Sequence, residues 1–130
     1  MYARALTVCA AAILCGLTGA APSYPSPAEL HLVLEKSEPT ADAVVAEVSE
    51  VTLWFSQRPQ DESTSIRILT GGGDLVPSSD AAPLPDQPTV FRTIPESSLP
   101  DGSYQVVWRT MAADGHVISG DFGFTVRSSE

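Results

Sequence analysis

From His31 onward, apolar and polar residues alternate with a period of two in a series of short runs. In EVTLWFSQ (50–57), Val51, Leu53 and Phe55 share one face, and in STSIRILT (63–70) Ile66 and Ile68 do. The second run ends at Gly71-Gly72-Gly73-Asp74, a turn or hairpin loop. GSYQVVWRT (102–110) puts Tyr104, Val106 and Trp108 on one face, and GDFGFTV (120–126) does the same for Phe122, Phe124 and Val126. HLVLEK (31–36) and PTVFRTI (88–94) read as further strands. Successive side chains of a strand leave opposite faces, so this alternation predicts strands buried on one side. Pro83, Pro85 and Pro88 mark a loop, and Pro39, Pro95 and Pro100 punctuate other joins. ADAVVAEV (41–48) is ambiguous, a helical turn or a short strand plus turn. Six or seven short strands separated by turn signals predict an all-β antiparallel sandwich or small Greek-key barrel.

The first residues follow a different pattern. Arg4 precedes an apolar run from Ala5 to about Leu17, and small residues follow at Gly19, Ala20 and Ala21. This is the layout of a secretory signal peptide, and the run is too short to span a bilayer well. Residues 1–20 are the expected signal, with cleavage after Ala20. Residues 21–30, rich in proline and serine, are an extended lead, and 31–130 are the domain. The expected location is periplasmic or secreted.

Cleavage would remove both cysteines, Cys9 and Cys15. The mature chain then has no disulfide and no thiolate ligand, which excludes zinc-ribbon, iron–sulfur and thiol-redox chemistry. The whole chain carries a formal charge of −9. Without Arg4, six basic residues face all 16 acidic ones, a net −10. So acidic a chain repels nucleic acid and anionic lipid but tolerates a cation.

Few stretches carry chemistry. No G-x-S-x-G sequence exists, and the Gly71–Gly73 run has no lysine after it, so neither a serine hydrolase nor a phosphate cradle is indicated. Carboxylate pairs recur by chance in an acidic chain. Asp114-Gly115-His116 differs, because it holds one of only two histidines. On an extended segment, residues two apart leave one face, so a carboxylate and an imidazole can converge on one ion. Oxygen and nitrogen donors suit Cu²⁺, Ni²⁺ or Zn²⁺, with Cu²⁺ held most tightly. Two donors are too few, and the other imidazole is His31. On its own, D-x-H is either half of such a site or an ordinary turn.

A wider pattern bears on that choice. His31, Leu34, Ser37 and Pro39 open the domain, and Leu53, Phe55 and Ser56 end a strand. Leu99, Pro100, Gly102, Tyr104, Val106, Trp108 and Arg109 precede Asp114, His116 and Gly120. In this arrangement the chain resembles the CopC family of periplasmic copper-binding proteins over essentially the whole mature domain. The resemblance implies a seven-stranded Greek-key β-sandwich or barrel, cupredoxin-like or immunoglobulin-like. It also implies a Cu(II) site made by His31, Asp114 and His116, and an inner-membrane copper-handling partner.

Three departures from the family pattern qualify what the resemblance implies. Many members carry a methionine-rich Cu(I) loop, whereas beyond Met1 this chain has only Met111, so no Cu(I) site is expected. The family histidine usually follows the cleavage point directly and adds its amine to the site. Here about ten residues would precede His31, leaving two imidazoles and a carboxylate with water or a backbone nitrogen. Gln57 stands where members often have Glu, which removes a hydrogen-bond acceptor for a ligand imidazole. The expected function is a non-enzymatic copper carrier or buffer in copper resistance. The rival is a protein-interaction module of the same fold with a degraded copper site.

Overall fold

The structure, a computed structural model, describes residues 31–129 together with Gly19, Ala21 and Pro22. The expected signal peptide and most of the lead lie outside the described residues. Nine strands follow in order: β1 (Leu34–Glu38), β2 (Val44–Val45), β3 (Val51–Phe55), β4 (Ser65–Thr70), β5 (Leu75–Val76), β6 (Ala82–Leu84), β7 (Gln87–Thr93), β8 (Gly102–Met111) and β9 (Val117–Val126). One sheet runs β1-β3-β7-β6 and the other β2-β9-β8-β4-β5.

The faces read from the sequence are the ones buried. Val51, Leu53 and Phe55 of β3 lie against Ile66 and Ile68 of β4, with Tyr104, Val106 and Trp108 of β8 and Phe124 and Val126 of β9 in the same core. One aromatic contact, Phe55–Trp108, joins the two sheets, and two more lie within single sheets. Phe55 meets Trp108 edge-on at 5.5 Å and Phe91 at 6.1 Å, while Tyr104 stacks on Phe124 at 5.4 Å. Edge-to-face and offset pairs of this kind add stability beyond the apolar area that they bury. The Tyr104 hydroxyl donates to the Pro100 carbonyl at 2.6 Å, which ties the entrance of β8 to the core.

Three details depart from the sequence reading. There are nine strand segments rather than seven, because β2 and β5 are two-residue pairings too short to leave an alternating pattern. Among the paired strands, β2 joins β9 in parallel (Val44↔Thr125, Val45↔Val126), so the sandwich is not wholly antiparallel. Pro83, Pro85 and Pro88 do not form an open loop. They sit in and around a tight β6–β7 hairpin that turns at Pro85-Asp86, with Asp86 at φ 60°. Pro83 is tolerated because β6 is the outer strand of its sheet, where a missing N–H breaks no ladder on the open side.

Registers at one end of the sandwich decide what meets there. Leu34 pairs with Phe55, so His31–Val33 run on beside Ser56 and Gln57. Met111 pairs with Val117 as the last rung of β8–β9, leaving Ala112–His116 as the connecting turn.

Candidate metal centre

The turn is closed by its own backbone. The Ala112 N–H donates to the His116 carbonyl at 2.9 Å, and the Gly115 N–H donates to the Ala112 carbonyl at 2.9 Å. Gly115 has φ +90°, a conformation that a Cβ would disfavour, so glycine suits this position. Asp114 Oδ1 accepts the His116 backbone N–H at 3.0 Å, and Oδ2 lies 2.8 Å from His116 Nδ1. The two side chains do converge, but not in the way expected from an extended segment. Asp114 sits in a turn, and its carboxylate folds back onto the residue two further on, the local bonding to which aspartate is suited.

This bonding sets the local electrostatics. The Asp114 carboxyl is held below the usual carboxylate range, chiefly by the His116 backbone N–H and then by its ring. Slight desolvation opposes this, and the charges of His116 and His31 add to the lowering. The site is open: the His116 side chain is 78% exposed and that of Asp114 56%.

The other half is anchored from below. Leu32 is buried in the core at 2% exposure, which fixes the chain beside exposed His31. Ser56 Oγ accepts the Val33 N–H at 3.0 Å and donates to the His31 carbonyl at 3.3 Å. His31, Gln57, Asp114 and His116 line one depression of about 130 Å³, together with apolar Leu32, Ala112 and Ile118. All four residues singled out in the sequence therefore line one depression. A larger cleft, about 580 Å³ along β4 and β5, holds no histidine.

Asp114 and His116 are assembled as a pair, whereas His31 stands at the rim. Among the described residues, no three His, Cys, Asp or Glu side chains are close enough together to hold an ion as they stand. The pair itself offers one nitrogen and one oxygen donor. Donors about 2.0–2.1 Å from a first-row divalent ion and at right angles to each other stand ~2.8–3.0 Å apart. The observed Nδ1–Oδ2 separation is 2.8 Å.

Sequence reasoning missed Gln60. Its backbone N–H donates to the Met111 carbonyl at 2.9 Å, and its side-chain amide donates to the carbonyls of Ala112 at 3.0 Å and Ala113 at 3.4 Å. These contacts span 52 and 53 residues of sequence, so no local pattern could have revealed them.

This two-sheet sandwich, with its Asp-Gly-His turn beside the first strand, matches a known domain family. The CopC domain family model matches residues 34–127, and the chain belongs to the CopC family. His31 lies three residues ahead of that match. Copper resistance protein C of Escherichia coli is 30% identical over 103 residues, covering 75% of this chain and 82% of that protein. Among solved structures, CopC from Methylosinus trichosporium OB3b is 32% identical with a TM-score of 0.70, covering 77% of this chain and 97% of that one. PcoC, a methionine-rich copper resistance protein from Escherichia coli, is 30% identical with a TM-score of 0.68, covering 75% and 99%.

Proposed function

We propose that this chain binds one Cu(II) ion through His31, Asp114 and His116 and serves as a copper carrier or buffer in copper resistance or homeostasis. The observation that carries this reading is the 2.8 Å approach of His116 Nδ1 to Asp114 Oδ2, facing a depression that His31 also lines. Relatives named as copper resistance proteins support the choice of metal. The donor set supports the oxidation state. Imidazole and carboxylate suit Cu(II), whereas soft Cu(I) needs thiolates or several thioethers. One relative is described as methionine-rich, whereas this chain has two methionines, Met1 and Met111.

Binding requires the His31 ring to turn inward onto the preassembled Asp114–His116 pair. Water or a backbone nitrogen would complete the coordination, and Gln57 would offer an amide where a carboxylate is absent. Relatives named as copper resistance proteins support reading the chain as a binding protein and not an enzyme. The signal-like first 20 residues support a periplasmic or secreted location, where an inner-membrane copper-handling partner would be the proposed recipient.

A Cu(II) titration followed by electron paramagnetic resonance (EPR) tests the reading. One equivalent with nitrogen hyperfine structure is expected, lost in His116→Ala and weakened in His31→Ala. The position of His31 at the rim favours a second reading, an interaction module of the same fold whose site no longer closes. Absence of stoichiometric copper uptake by the wild-type protein would select that alternative.

A further inference from the structure

We propose that Ser56 and Gln60 are positioning residues, a clamp that sets the gap between His31 and the Asp114–His116 turn. The two halves lie more than 80 residues apart in sequence, yet both are bonded to the same stretch, 56–60. Ser56 grips the first half three times. Its N–H donates to the Val33 carbonyl at 2.9 Å, its Oγ accepts the Val33 N–H at 3.0 Å, and the same hydroxyl donates to the His31 carbonyl at 3.3 Å.

Gln60 grips the second half in the same way. Its side-chain amide and the Gly115 N–H both donate to the Ala112 carbonyl, which uses both lone pairs of that oxygen. The amide also reaches the Ala113 carbonyl, one residue before Asp114. Gln60 is itself fixed, because Ser63 Oγ donates to its carbonyl at 2.7 Å and accepts the Met111 N–H at 3.2 Å. Gln57, between the two grips, lines the depression. The spacing of His31, Asp114 and His116 is thus set by Ser56 and Gln60, which are not themselves among the candidate ligands. Partners that orient metal ligands in this way commonly contribute 10–100-fold in affinity.

The test has a metal-free arm and a copper arm, and only the second rests on the proposed function. Gln60→Met keeps the side-chain length and removes both donors. Backbone amide exchange of Ala112 and Gly115, followed by NMR, should quicken several-fold to about tenfold. Ser56→Ala should quicken Val33 instead and leave Ala112 and Gly115 unchanged. Gln105→Met is the control for loss of a glutamine contact, since its amide bonds Asp121 at 2.7 Å on the outer surface of β8–β9. Exchange at Ala112 and Gly115 that is the same in Gln60→Met as in wild type would overturn the proposal.

In the copper arm, Gln60→Met should raise the Cu(II) Kd about 10–100-fold and broaden the EPR signal, with Gln105→Met matching wild type. Equal affinity in wild type and Gln60→Met would also overturn it. If the wild-type protein takes up no copper, the copper reading fails, and the exchange rates alone decide the clamp.

Discussion

Trp108 and Gly120 pair across the β8–β9 ladder, and a Cβ at position 120 would stand 2.7 Å from the indole Cζ2. Cε2 and Nε1 would be at 2.9 and 3.0 Å, so one whole edge of the ring occupies the space that glycine leaves. Trp108 cannot easily retreat, because its other neighbour is Phe55 in the opposite sheet. Gly120→Ala should therefore cost about 1–3 kcal/mol in a urea denaturation experiment. Gly123→Ala is the comparison, since a Cβ there meets nothing nearer than the Tyr104 carbonyl at 3.5 Å, and should cost about 0.5 kcal/mol or less. Equal losses would show that strand propensity, and not the indole, governs position 120.

Gly115 acts on the site through conformation. Open space surrounds the place where its Cβ would be, so no clash accompanies substitution there, but φ +90° strains an L-residue. Gly115→Ala should cost about 1–2 kcal/mol, concentrated in the turn. Faster amide exchange at Ala112 and weaker copper uptake should appear together, with little change at Val106 in the core. A turn as well protected as in wild type would mean that the backbone finds an equivalent path with a negative φ.

Copper uptake should fall with acidity in a defined order. Metal and protons compete for imidazole, so binding should weaken as the solution is acidified. The Asp114 carboxyl, already held below the usual range, favours its charged form and should not be the first donor lost. Copper titrations from pH 7 to pH 4 check this, and retention at pH 4 would remove the imidazoles from the site.

The far end of the sandwich offers a proton-linked contact of its own. Asp101 Oδ1 accepts both the backbone N–H and the hydroxyl of Ser128 at 2.9 Å. These bonds hold the Asp101 carboxyl below the usual range. Because the folded value is depressed, the contribution is present above the unfolded carboxyl pKa, about 4, and is lost as pH falls through the folded value. Protection of the Ser128 amide, relative to its intrinsic exchange rate, should fall as pH drops below the ordinary carboxylate range, and Asp101→Asn should lack that fall.

How much was legible in the sequence depended on how local the cause was. Alternation identified Val51, Leu53 and Phe55, and Tyr104, Val106 and Trp108, as inward faces, because burial on one side of a strand imposes a period of two. β7 was legible in PTVFRTI, but β6 was hidden because proline signals the absence of a ladder partner, and an outer strand needs none on its open side. The short strand left open as one reading of 41–48 is β2, but its parallel pairing was not legible, since Val44 and Val45 find their register only through β9. At the candidate site, Asp114, His116 and His31 stood out as rare residue types. Ser56 and Gln60 are ordinary polar residues whose roles exist only after β3 has been laid against β1 and the Gln60 amide has met the Ala112 carbonyl.

The exposure of Asp114 and His116 has a kinetic consequence for any ion held there. Neither side chain is roofed by the fold, so a donor from a second protein can approach the ion while the first ligands are still attached. Exchange can then proceed associatively, through a mixed complex, with no lid to open and no release of free ion into solution. Under this geometry the handover rate would scale with the concentration of the receiving protein and not with spontaneous dissociation.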